Sequence, residues 1–260
     1  MNLKIHMTEI PAPGVWLLSP LLLAQGLWVR RRTPRLPGAA GPDTGEITGA
    51  ADTAGPPLRL LVIGESTVAG VGARRHEEAL TGQLARELHT RLRRPVRWRA
   101  CGKNGVTAAR TRTELVPQLP VETTDILVIA LGVNDTLSRH GPARWTADLR
   151  ALSNALREKT SPALLVLSGV PPMQAFPALP QPLRAFLGMR AAGLDQALRE
   201  LVAEIPGAIH APFTFTGDDT FFCEDRFHPS VKGYQRWGEH LADQIALSLP
   251  PVGKNRASAP

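Results

Sequence analysis

The sequence predicts an α/β protein built on a parallel β-sheet with helices on both faces. Short apolar runs alternate with longer amphipathic stretches from Leu58 to Leu249. The run Asp125–Leu131 is almost unbroken in apolar character, the mark of a strand buried on both faces. Polar, turn-forming residues follow the ends of the apolar runs. Strands alternating with helices require crossover connections, and these join parallel neighbours.

The N-terminal segment, 1–32, reads as an apolar helix with a basic flank, since Val15–Val29 is followed by Arg30, Arg31, Arg32 and Arg35. As a helix that run extends about 22 Å, short of the roughly 30 Å hydrocarbon core of a bilayer, and it contains Pro20 and Gln25. Its arginines come after the apolar run, where a secretory signal would place them before. Two readings stand: an interfacial helix with Trp16 and Trp28 at headgroup depth, or a helix docked on the domain. The expected location is cytoplasmic, with membrane association through 15–32 as the first reading implies. Residues 33–57 are rich in Pro, Gly, Ala and Thr and read as a linker or irregular wrapping segment.

The site-bearing domain is expected over 58–249. Strands are expected at Leu58–Ile63, Val96–Ala100, Asp125–Leu131, Ala163–Ser168 and Gly207–His210. Helices are expected at Glu78–Arg93, Thr107–Leu115, Arg144–Glu158, Leu183–Glu204 and Val231–Leu249. A disordered tail, 250–260, ends the chain.

Composition narrows the function. The 260 residues carry a net charge of +7, but the basic residues are unevenly placed and lack interleaved aromatics, so nucleic acid is not an expected partner. Cys101 and Cys223 imply no disulfide framework. No His, Cys, Asp and Glu cluster has zinc spacing, and no cofactor or metal is expected.

In a doubly wound sheet, ligands bind outside the carboxyl ends of the strands. Ser66 follows the first expected strand, Asn104 and Gly105 the second, and Gly132–Asp135 the third. His228 lies in the long loop after the fifth. A serine hydroxyl needs a base to become a nucleophile, and the base needs a third group to set its tautomer. Asp225, three residues before His228, suits that role, and the other histidines (His6, His76, His89, His140, His210 and His240) lack such an aspartate.

Four blocks in this order resemble the SGNH hydrolases, also called GDSL esterases and lipases: Gly64-Glu65-Ser66, Gly105 in Asn104-Gly105-Val106, Gly132-Val133-Asn134-Asp135, and Asp225-Arg226-Phe227-His228. The resemblance covers about Leu58 to Leu249 and implies a three-layer α/β/α, flavodoxin-like fold with a five-stranded parallel sheet. It implies Ser66, Asp225 and His228 as catalytic residues, with an oxyanion hole from Ser66, Gly105 and Asn134. Glu65 stands where the family has Asp; it is expected as a carboxylate at a turn or helix N-terminus. Asp135 is expected to be structural, capping the helix that follows.

The proline-rich stretch Val170–Pro182 begins at the same sheet edge, and Met173 and Phe176 are expected to line an acyl pocket. The expected function is a serine esterase or lipase acting on a small-molecule or lipid ester through an acyl-enzyme on Ser66. The alternatives are an O-acyltransferase using the same site and a non-catalytic, membrane-tethered binding module. A P-loop is excluded, because Gly64–Gly70 lacks the Gly-Lys-Ser/Thr ending. The oligomeric state is not legible.

Overall fold

The structure, a computed structural model, describes residues 13–49, 56–138, 140–214 and 219–249. The expected tail at 250–260, residues 1–12 and part of the linker lie outside them. In chain order the elements are α1 (Pro13–Arg32), β1 (Thr44–Ile47), β2 (Leu58–Gly64), α2 (Leu80–Leu92), β3 (Val96–Gly102), α3 (Ala108–Arg110), β4 (Ile126–Ala130), α4 (Val133–Leu137), α5 (Pro142–Thr160), β5 (Leu164–Ser168), α6 (Leu183–Ala203), β6 (Ala208–Ala211) and α7 (Val231–Ser248). The strands form one sheet in the order β1-β3-β2-β4-β5-β6.

β2 to β6 pair in parallel, as the alternation of strands and helices predicts. Successive side chains on a strand face opposite sides, so the buried strands feed two cores. Leu61, Ile63, Leu127, Ile129, Leu165 and Leu167 pack under α5 and α6. Leu60, Val62, Ile126, Val128 and Val166 pack under α2 and α7. That arrangement makes the middle layer of an α/β/α sandwich.

One strand was not expected. The sheet has six strands, not five, because β1, inside the expected linker, runs antiparallel along β3 from Thr44↔Arg99 to Ile47↔Val96. Gly45 permits the contact: a Cβ there would lie 2.5 Å from the Trp98 ring. Earlier in that segment, Ala39 N–H donates to the Ala69 carbonyl and Ala40 N–H to the Arg74 carbonyl, both at 2.9 Å, along the loop that follows β2. The expected Thr107–Leu115 helix is a short composite of α3 and a π-helical turn at Thr111–Leu115.

β2 lies between β3 and β4, and Gly64 pairs with Gly102 on one side and Ala130 on the other. The loop after β2 is therefore flanked by the loop after β3, which carries Gly105, and the loop after β4, which carries Asn134. Both glycines are required by close approach. A Cβ on Gly64 would sit 2.1 Å from the Ala130 carbonyl oxygen, and one on Gly102 2.1 Å from the Ala69 nitrogen.

Candidate active site

Ser66 begins a tight turn at the end of β2, its carbonyl accepting from Val71 N–H at 3.0 Å. Its side chain meets His228 from the far end of the chain: Ser66 Oγ lies 3.1 Å from His228 Nε2. His228 Nδ1 lies 2.6 Å from Asp225 Oδ2. An ionised carboxylate only accepts, so Nδ1 carries the proton and Nε2 is left to accept from the serine hydroxyl.

The Asp225–His228 loop is closed on itself. Cys223 N–H donates to the His228 carbonyl at 2.9 Å, and Arg226 turns the chain at φ 57°. Asp225 organises it from within, Oδ1 accepting from the N–H groups of Phe227 and His228, both at 2.9 Å, and from the Cys223 thiol at 3.1 Å. Burial alone would raise the Asp225 carboxyl. The bonds from His228 first, then from Phe227 and Cys223, outweigh it and bring the group down to about 2. The Cys223 thiol is pushed up to about 12 by burial and by the carboxylate it serves. Cys101 and Cys223 are both free thiols.

Two contacts hold the serine and histidine loops against each other. Tyr234, fully buried on α7, donates its hydroxyl to the Val71 carbonyl at 2.5 Å. Gly72 passes so close to Pro229 that a Cβ would sit 2.3 Å from its carbonyl oxygen.

Gly105 follows β3 with φ at 79°, a left-handed conformation that favours glycine. Asn134 stands in the first turn of α4, and its partner was missed in the sequence. Glu65 is buried, and its carboxylate accepts from the backbone N–H groups of Val133 and Asn134, both at 3.0 Å, and from the Asn134 side-chain amide. It does stand at a helix N-terminus, but that of α4 rather than of its own turn. Burial raises the Glu65 carboxyl to about 7 against the lowering effect of those donors. Asp135 is structural as expected, yet it caps a different helix: it accepts from Ala108 N–H at 3.1 Å, at the start of α3. Burial raises it to about 7 as well.

A cleft opens beside Ser66 and His228, walled by Val133, Pro172, Phe176, Phe213, Phe222 and Phe227 among others. Phe176 is fixed edge-on against Phe222 at 5.3 Å and Phe227 at 5.1 Å. The two expected pocket residues separate here. Phe176 lines the cleft, whereas Met173 is 0% exposed, belongs to the core under α6 and forms no part of the cleft wall. Both belong to the core cluster beneath α6, but only Phe176 reaches the cleft. Among the described residues, no group of three or more His, Cys, Asp or Glu side chains is placed to hold a metal.

The sequence pattern of the GDSL-like lipase/acylhydrolase family matches residues 62–236, from within β2 to within α7. The chain belongs to that family. This GDSL-like chain is 28% identical over 199 residues to a curated GDSL-like esterase of Mycobacterium tuberculosis (strain ATCC 25618 / H37Rv). That match takes in 74% of this chain and 62% of the relative's length. Among solved structures it is similar to Est24, a carbohydrate acetylesterase from Sinorhizobium meliloti, with a TM-score of 0.53 and 19% identity over 74% of this chain and 100% of that one. It is also similar to a carbohydrate esterase family 2 enzyme with a carbohydrate-binding domain from Corynascus thermopiles (Myceliophthora fergusii). There the TM-score is 0.57 and the identity 18%, over 75% of this chain and 68% of that one. At such identities the structural likeness speaks for a shared GDSL-like fold. The resemblance carried by the four sequence blocks and the family match agree.

Proposed function

We propose that the protein hydrolyses carboxylic esters through an acyl-enzyme on Ser66. The observation that supports this most directly is the unbroken chain Ser66 Oγ, His228 Nε2, His228 Nδ1, Asp225 Oδ2, with contacts of 3.1 and 2.6 Å. In this reading Ser66 Oγ attacks the ester carbonyl carbon as His228 takes its proton. The tetrahedral intermediate collapses, the C–O bond to the alcohol breaks, and His228 returns the proton to the leaving alcohol. Water then adds to the acyl-enzyme with His228 as base and releases the acid.

The charge that develops on the carbonyl oxygen would be met by the N–H groups of Ser66 and Gly105 and by the amide of Asn134. Glu65 acts as a positioning residue. By accepting one side-chain N–H of Asn134 it fixes the amide so that its oxygen cannot turn toward the oxyanion, and the second N–H is left to donate. Asp225 holds the imidazole tautomer and stabilises its protonated form.

The substrate is a small-molecule or lipid ester whose acyl group enters the aromatic cleft. The acetyl esters that the name of Est24 implies fit a cleft that Ser66 and Phe176 both line. The test combines two measurements on purified protein: turnover of aryl esters of graded acyl length, and mapping of the residue labelled by an alkyl fluorophosphonate. Turnover with a single label on Ser66 is expected; turnover without any label on Ser66 would refute the serine mechanism.

Opening the cleft wall should change selectivity rather than chemistry. Phe176→Ala is expected to shift the best substrate toward longer acyl chains. It should also lower stability by about 3 to 5 kcal/mol, since a large buried side chain is lost. An unchanged chain-length profile in a folded variant would remove Phe176 from the acyl site.

A further inference from the structure

The outer side of α1 plays no part in the site described above. Among its described side chains, α1 meets the domain along one side. Leu22 packs against the core and Val29 is buried. Gln25 is held through both ends of its amide, donating to the Gln181 carbonyl at 2.7 Å and accepting from Leu183 N–H at 3.1 Å. At about 100° per residue, Leu22, Gln25 and Val29 share one side of the helix, and Leu23, Leu27 and Arg31 project from the opposite one. Leu23 is 67% exposed, Leu27 55% and Trp28 49%.

The charge pattern says what would cover this side. No charged residue occurs from Pro13 to Val29, and Arg30, Arg31, Arg32 and Arg35 then follow together, all exposed. Among the described residues none of these four pairs with a carboxylate. Arg32 lies 5.4 Å over the Trp28 ring, joining the apolar and basic parts into one surface. A contiguous apolar face rimmed by cations points to a docking surface. A second copy fits it poorly, because the same patch carries no carboxylate from Pro13 to Arg35 and would leave the guanidinium groups without an anionic partner. An anionic bilayer satisfies both parts, the leucines and Trp28 entering the headgroup and acyl boundary and the guanidinium groups meeting lipid phosphates.

We infer that the outer side of α1, with Arg30, Arg31, Arg32 and Arg35, docks the protein on the surface of an anionic phospholipid bilayer. The helix lies on the membrane; among the described residues no helix is long and apolar enough to cross one. Gln25 ties α1 to Gln181 and Leu183, at the end of the same stretch whose Phe176 walls the cleft. The inference does not depend on the ester-cleaving reading.

Co-sedimentation of the full chain with sucrose-loaded vesicles tests it, using phosphatidylcholine alone and phosphatidylcholine mixed with phosphatidylglycerol. Binding to the mixed vesicles is expected to be at least about tenfold tighter and to weaken as salt is added. The pair Arg30→Glu and Arg31→Glu is expected to abolish the preference for phosphatidylglycerol. Leu23→Glu with Leu27→Glu is expected to weaken binding to both vesicles by about tenfold or more. All variants should keep wild-type turnover of a soluble aryl acetate, so loss of that activity would bear on the site and not on docking. Absence of vesicle binding by the wild type would overturn the inference. So would a light-scattering mass of two copies that falls to one on Leu27→Glu, which would assign the face to a second copy.

Discussion

Asp225→Asn is expected to lower kcat on a soluble aryl acetate by roughly ten-thousand-fold while the chain still folds. The reason is the division of labour between the two carboxylate oxygens. Oδ1 accepts from the N–H groups of Phe227 and His228 and from the Cys223 thiol, whereas Oδ2, among the described residues, accepts only from His228 Nδ1. In an asparagine, the carbonyl oxygen takes the position with several donors, because an NH₂ group there would face N–H groups. The NH₂ is then turned toward His228 Nδ1. An imidazole facing a donor must present a bare Nδ1, which moves its proton to Nε2. The nitrogen 3.1 Å from Ser66 Oγ can then no longer accept the serine proton.

Stopped or steady-state kinetics on the purified variant, with a thermal melt alongside, measures this. A kcat within tenfold of wild type would show that His228 keeps its tautomer without Asp225. The acid side follows from the same residue. The Asp225 carboxyl is held down at about 2 in the folded chain, so the stability it lends is present above its ordinary range near 3.8 and is lost as pH falls toward 2. Asp225→Asn should flatten that part of the acid unfolding curve.

The meeting of Ser66, His228 and Asp225 was legible in the sequence because its logic is local at one end and topological at the other. Asp225 and His228 are three residues apart on a loop that closes on itself, so their spacing alone places one beside the other. Ser66 follows an apolar run that reads as a strand, and the carboxyl-edge rule carries it to the same place. What escaped depends on contacts between distant segments. β1 is four residues, Thr-Gly-Glu-Ile, half-buried at an edge, and lacks the apolar run that marked the other strands. Met173 and Phe176 look alike in composition, and only their packing against distant segments decides which reaches the cleft. For α1, the sequence offered docking on the domain or on a membrane as alternatives. The helix uses one side for the first and leaves the other free. Glu65 is legible as a carboxylate at a turn or helix N-terminus, but not which helix it serves; its partners lie beyond β4, brought over because β2 and β4 are neighbours.

Asn134→Ala is expected to cost about a hundred- to a thousand-fold in kcat, about 2.7 to 4 kcal/mol of barrier, with little change in KM. A loss shared equally by substrate and transition state would appear in KM instead, so the split between kcat and KM tests whether Asn134 serves the oxyanion. Glu65→Gln should reproduce part of that loss without touching the donor itself. The variant replaces a charged acceptor by a neutral one, an interaction on the order of 1.5 to 3 kcal/mol, and leaves the Asn134 amide less firmly oriented. If Glu65 acts through Asn134, its effect should largely vanish in the Asn134→Ala background; additive losses would assign it a separate role. Its burial supplies an independent signature in stability. The folded carboxyl is raised to about 7 from an ordinary value of 4.5, so between those values the folded chain holds a proton that the unfolded chain has released. Stability is therefore highest below about 4.5 as far as this group is concerned, and falls as pH rises toward 7, by up to about 3 kcal/mol at 1.36 kcal/mol per unit. Asp135, also raised to about 7, acts in the same direction and keeps its share in the variant. Denaturant unfolding at a series of pH values should thus show a shallower decline for Glu65→Gln than for the wild type. Parallel curves would mean that the three N–H donors from Val133 and Asn134 keep Glu65 ionised throughout, and that its hold on the amide is a charged one across that pH series.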